Sequence, residues 1–331
     1  MKKFLTTVLS SVLIGVSSLG FTACKGVDGT GIDVFVPDGA PALAIAQLLA
    51  EEHNFGKDVN YHVVDANDVT SRVTYDDMNK NADICILPVN DASKLLGDGS
   101  SYKMLGTVTH GNLYLVSATD KVALTPANFA EEISGKKLGV VQMAKFPGAL
   151  TKLVLSEYGV SESVTLQAVQ PTEVAGDGSE LDYFVIPEPA ASTRVSNANL
   201  NLKQAGSMQE LYGGENGYPQ AVLVAKNSLI ESSPEFVSLF TSAIASSAQW
   251  LLNDGVSTEE ILNAIKSHYP DPENTMPAFN KLTKSVIKNC AVRFVSAADC
   301  KTEVKTFLTK LKNINPAFAS EVTDGFFYIN A

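Results

Sequence analysis

Four histidines and four cysteines are the residues from which this 331-residue chain could most readily build a metal or nucleophilic centre, and their spacing does not favour one. His53, His62, His110 and His268 are scattered, with no pair four apart on a helix. Cys85, Cys290 and Cys300 lie far apart with no histidine nearby, which is not the spacing of a zinc site. After residue 24 there is no G-x-S-x-G elbow, no phosphate-binding loop and no G-x-G-x-x-G following a strand. The sequence therefore predicts no metal, no cofactor and no catalytic residues. Binding is favoured over catalysis, with a hydrolase using the same cleft kept as an alternative.

The polar residues that remain gather where apolar runs stop. In "VFVPDGAPALAIAQLLAEE" (34–52) a strand end meets Asp38, Gly39, Ala40 and Pro41, and Pro41 suits the first position of a helix. "ILPVND" breaks at Pro88 and sets Asn90 at a helix start, as a cap or as a ligand contact. His110, Gly111 and Asn112 follow the next run, where His110 serves the core, a hinge or a ligand. Phe146 either packs inside or stacks on a ligand. Glu188, before Pro189, either caps a helix or accepts hydrogen bonds from a bound molecule.

Positioning these groups requires strands that end together. Short β-branched runs alternate with helical patterns: "IDVFV" then 41–53, "VNYHVV" then 68–79, "DICIL" then 91–96. That alternation predicts an α/β fold with a largely parallel sheet, and in open sheets of this kind ligands bind beyond the carboxyl ends of the strands. Further runs at 164–169 and 181–187 predict a second, smaller unit, and "YPQAVLVAKN" (218–227) a strand that returns to the first. The expected organisation is a first lobe over 32–118, a second over 119–217 and a return to the first over 218–331, with crossings near 118 and 218. Beyond 230 the pattern is helical. One helix is expected to bury Phe236, Leu239, Phe240, Ala243, Ser247, Trp250 and Leu251.

The start of the chain reads as an export leader: Met1-Lys2-Lys3, an uncharged apolar stretch to Phe21, then Ala23 before Cys24. Residues 1–23 form the expected signal peptide and 24–31 a Gly-rich tether. The formal net charge of −11, which grows by two when Lys2 and Lys3 leave with the leader, argues against nucleic acid or anionic lipid as a partner. Arginines occur only at 72, 194 and 293, so forked holders of phosphate or sulfonate are scarce. In an exported protein Cys290 and Cys300 are candidates for a disulfide, which the sequence leaves open, while Cys85 reads as a small buried hydrophobe.

"GFTAC" resembles the lipobox of bacterial lipoproteins, with Phe21 where leucine is usual. "VPDGAPALAIAQLL", "ADICILPVNDASKLL", "LGTVTHGNLYLVS", "GKKLGVVQMAKFPGALTKLVL", "EPAAS" and "YPQAVLVAKNSLIESSPEF" occur in the order and spacing of substrate-binding lipoproteins of ABC importers. They resemble the branch that includes nitrate, sulfonate, taurine and thiamine-pyrimidine-precursor binders. The resemblance implies a two-lobed, type II periplasmic-binding-protein fold that closes on one small ligand and presents it to a membrane permease. It implies a monomer held on the extracytoplasmic face of the membrane through lipidated Cys24. It places ligand contacts at Asp38 to Pro41, Pro88 to Asn90, Thr109 to Asn112, Gln142 to Gly148 with Phe146 and Pro147, and Glu188 to Ala190. Asp38 beside the helix start, and the few arginines, favour a neutral or weakly basic heterocycle, such as a pyrimidine, held by Phe146 or Tyr183. A sulfonate or other anion is the alternative, and an adhesion or sensor module a third class.

Overall fold

The computed structural model describes residues 31–329 except Asp98, Glu215 and 271–281. The leader, Cys24 and most of the tether therefore lie outside the described residues. Eleven strands form two sheets among the described residues. β1 (Ile32–Pro37), β2 (Val59–Val64), β3 (Ile84–Pro88) and β4 (Tyr102–Thr109) build the first, while β5 (Leu113–Ala118), β6 (Lys137–Val141), β7 (Thr165–Val169), β8 (Tyr183–Pro187) and β9 (Leu202–Ser207) build the second. β10 (Ala221–Lys226) and β11 (Val292–Ser296) then return to the first.

The two sheets share one plan. Three parallel strands lie side by side, in order β2-β1-β3 and β7-β6-β8, and an antiparallel strand pairs with the third: β10 with β3, and β5 with β8. Since β5 pairs with β8 and β9, the first crossing runs through residues 110–112 rather than near 118, and 113–118 belongs to the second lobe. Only glycine fits the turn there: Gly111 has φ 101°, and a Cβ on it would stand 2.5 Å from the Gln209 side chain and 2.9 Å from the Tyr218 ring.

Period-two alternation divides the core. Val34, Val36, Ile84, Ile86, Leu223 and Ala225 point to one face of the first sheet, under the helices Pro234–Leu252, Thr258–Lys266 and Lys284–Asn289. Phe35, Cys85, Leu87, Val222 and Val224 point to the other, under the helix Ala297–Ile314. That second core continues without a break into Leu113, Leu115, Leu138, Val140 and Val185 of the second sheet.

This division settles the cysteines. Cys290 is buried in the first of these cores and Cys300 in the second, on opposite faces of the sheet, so the disulfide that the sequence left open does not form and both are free thiols, as is Cys85. Burial pushes the Cys300 thiol up to about 11 and raises the Cys85 and Cys290 thiols well above their ordinary value. All three are expected to resist iodoacetamide in the folded chain and to react after unfolding without prior reduction. Peptide mass mapping that finds a 290–300 disulfide would contradict this.

Three helices differ from expectation, the first being 41–53, which splits at Ile45 into Ala40–Ala44 and Ala46–Ala50. Residues 68–79 form only short 3-10 turns, Val69–Val73 and Met78–Lys80, where the β-branched Val69, Thr70, Val73 and Thr74 are followed by Asp76, Asp77 and Asn79, all poor helix formers. In Pro234–Leu252 the buried face holds Val237 and Ile244 in place of Leu239, which is 45 % exposed. No helix among the described residues is long and apolar enough to cross a membrane.

Candidate binding cleft

The carboxyl ends of β1, β2, β3, β6, β7 and β8, with the starts of β5 and β10, converge on one cleft of about 630 Å³. This lies within the range of small-molecule sites, roughly 300–1,000 Å³. The first lobe supplies Pro37 to Pro41, Asp65 to Asn67, Val69, Pro88, Gln220 and Ala221. The crossing supplies Asn112 and Leu113, and the second lobe Gln142, Phe146, Pro147, Gln170 to Thr172, Pro187 to Ala190, Thr193 and Arg194. A depression of about 670 Å³ at the opposite end of β1, around His53 and Lys57, involves one lobe only.

Of the residues singled out in the sequence, Asp38, Gly39, Ala40, Pro41, Pro88, Asn112, Gln142, Phe146, Pro147, Glu188, Pro189 and Ala190 line this cleft. Asn90, Thr109, His110, Gly111 and Gly148 do not. Asn90 is buried in the first turn of the helix Val89–Leu95, where its carbonyl accepts from the Ser93 hydroxyl at 2.7 Å. Thr109 ends β4, and its carbonyl accepts from Gln220 N at 3.0 Å. His110 is buried with Nε2 3.1 Å from Thr107 Oγ1; burial first, and the Arg293 charge second, push its pKa down to about 4, so the ring is neutral at pH 7. Gly148 lies against the turn before its helix: a Cβ would stand 1.8 Å from the Met143 carbonyl oxygen. Tyr183 points elsewhere, its hydroxyl donating to the Val122 carbonyl at 3.1 Å.

Two lining residues serve the scaffold. The Glu188 carboxylate accepts from Ser192 N at 2.9 Å, Ser192 Oγ at 2.7 Å and Asn289 Nδ2 at 3.2 Å, so it caps the helix Ala190–Val195 and ties the second lobe to the first. Its backbone carbonyl takes Asn112 Nδ2 at 3.0 Å, and Asn112 Oδ1 takes Gln220 Nε2 at 2.6 Å, a polar chain beneath the cleft that joins both lobes to the crossing. Phe146 packs against Tyr218 and Phe307, with ring centroids 5.9 and 6.1 Å away. It is a wall of the cleft held from behind.

Asp38 is different. Its Oδ1 accepts one hydrogen bond, from Ala66 N at 3.2 Å, and no cation pairs with it among the described residues. Burial raises its pKa to about 6, and the nearby Asp65 charge adds to this. The carboxylate is thus short of donors. The helix behind it, Ala40–Ala44, is only five residues long and breaks at Ile45, so its dipole offsets little of that charge. Gln142 holds φ 55° at the facing rim, an uncommon conformation for a residue other than glycine. Across the mouth Lys145 Nζ donates to Asn67 Oδ1 at 2.6 Å, linking the lobes opposite the hinge.

Asp65 to Asn67, Gln170 to Thr172, Arg194 and Gln220 were not anticipated. The first two groups follow β2 and β7, so the strand-end rule that found Asp38 could have found them. Arg194 lies one turn inside a helix and carries no such signal. Among the described residues no group of His, Cys, Asp and Glu is placed to hold a metal ion.

No protein-family model matches the sequence, nor does any curated protein's sequence. Solved structures do resemble it. An ABC transporter protein from Parabacteroides distasonis superposes with a TM-score of 0.71 at 21% identity, covering 91% of this chain and 100% of its own. The periplasmic aliphatic sulphonate binding protein SsuA from Escherichia coli gives 0.63 at 12%, over 91% and 92%. A Candida albicans protein described as having the generic periplasmic binding protein fold gives 0.51 at 14%, over 89% and 93%. With its two like-built sheets facing one cleft, this chain has the periplasmic-binding-protein fold.

Proposed function

We propose that this chain is the solute-binding component of an ABC importer, held on the extracytoplasmic face of the membrane through lipidated Cys24, and that it works as a monomer and not as an enzyme. The observation that carries this reading is the cleft itself, walled by strand ends of both lobes. A ligand held between the lobes stabilises the closed arrangement, because only that arrangement makes both sets of contacts. Closure is then the state presented to the permease. Asp38, short of donors, favours a ligand with N–H groups, such as a pyrimidine-like heterocycle, over a simple anion.

Denaturing the purified chain and analysing the released small molecules by mass spectrometry tests this. One intact molecule per chain, which rebinds and raises the melting temperature of the refolded protein, is the expected result. Recovery of a cleavage product, or conversion of the added molecule with time, would favour the hydrolase reading instead.

A further inference from the structure

The charged residues lining the cleft are Asp38 and Asp65 from the first lobe and Glu188 and Arg194 from the second. Glu188 is already satisfied by Ser192 and Asn289. Arg194 is anchored but not neutralised: Nε donates to the Val174 carbonyl at 3.1 Å, and Nη2 to Val174 at 2.7 Å and Thr172 at 3.0 Å. These bonds fix the fork in the cleft wall, and no carboxylate among the described residues pairs with it. One wall therefore carries only negative charge, while the other holds both signs: Glu188, whose oxygens are already taken by neutral donors, and Arg194, whose fork keeps N–H groups to spare.

We propose, building on the binding-protein reading, that the cleft takes a dipolar ligand, with a cationic or N–H-donating head against Asp38 and an anionic or acceptor tail against Arg194. A simple anion would satisfy Arg194 but face Asp38 and Asp65. A simple cation would do the reverse. Charges withdrawn from water need partners, and a molecule carrying both signs supplies them on closure. The Lys145 to Asn67 contact adds a second cation from the second lobe to the acidic rim of the first, so closure itself follows the same polarity.

Calorimetric titration of the full chain at pH 7 and low salt with three probes built on one ring tests this: 4-aminopyridine (head), pyridine-3-sulfonate (tail) and 4-aminopyridine-3-sulfonic acid (both). The dipolar probe is expected to bind at least tenfold tighter than either half. Arg194→Met is expected to reduce it to the level of the head alone, with Arg194→Lys recovering part of the loss. Melting curves of each variant separate loss of the anchor bonds from loss of binding. Equal affinity for the head and the dipolar probe, or indifference to Arg194→Met in a chain that melts like the wild type, overturns the dipolar inference and leaves the binding-protein reading standing. Failure of all three probes, with no small molecule released on denaturation, overturns both.

Discussion

Replacing Phe307 by alanine is expected to destabilise the folded chain by about 3–5 kcal/mol, the usual cost of emptying a large aromatic site in a core. The ring is fully buried on the helix Ala297–Ile314, which covers the first sheet, yet its neighbours come from elsewhere. It stacks on Tyr218 at 6.0 Å, meets Tyr212 edge-on at 5.6 Å and lies 6.1 Å from Phe146. Tyr218 in turn accepts from Leu113 N at 3.3 Å, where β5 leaves the crossing. The vacated space would thus open behind the cleft wall and beside the hinge together. A fall in melting temperature of roughly 10 °C is expected for a chain of this size, together with at least tenfold weaker ligand binding. Leu239→Ala, on the exposed face of its helix, should change stability by no more than about 0.5 kcal/mol. Urea unfolding measures both, and a loss below about 1 kcal/mol for Phe307→Ala would show that the aromatic cluster does not join the lobes.

That cluster also shows what the sequence could and could not convey. Strand positions were legible because β-branched runs ending in Pro, Gly or Asp carry a local signal, and the cleft residues that follow those ends, Asp38, Pro88, Gln142 and Glu188, came with them. Contacts made across long separations left no local trace. Nothing near Phe307 announces Tyr218 or Phe146, and Cys290 and Cys300 look like neighbours in the chain although a sheet stands between them. The first crossing was misplaced for a related reason: Leu113–Ala118 is as apolar as the strands of either sheet, and pairing with β8 and β9 decided its lobe. Residue type did not separate roles either. Asp38 and Glu188 are both acids at strand ends, but Glu188 is met by Ser192 and Asn289 while Asp38 has one N–H.

Asp38→Asn should therefore make the empty protein more stable at pH 7 while weakening ligand binding at least tenfold. Burial, then the Asp65 charge, holds the folded pKa of Asp38 at about 6 against an ordinary 3.8. As pH rises from 4 to 6 the unfolded chain releases this proton first, so stability falls with rising pH. His110 acts in the opposite direction over much of the same range. Its folded pKa is about 4 against 6.5, so the unfolded chain takes up a proton that the folded chain refuses, and stability falls as pH drops from about 6.5 towards 4. In the wild type the two slopes largely offset each other. Asparagine keeps an oxygen for Ala66 N but does not titrate, so the variant should gain on the order of 1–2 kcal/mol at pH 7, the shift discounted for partial exposure. Its stability should then decline on acidification more steeply than that of the wild type. For the wild type, affinity for a donor ligand should fall as pH drops below about 6 and the carboxylate is protonated. Chemical unfolding and calorimetric titration across pH 4–7 read both effects. A variant that matches the wild type in stability at pH 7 and in affinity would mean that Asp38 is an ordinary solvated carboxylate, and that the ligand takes its bearings from the opposite wall.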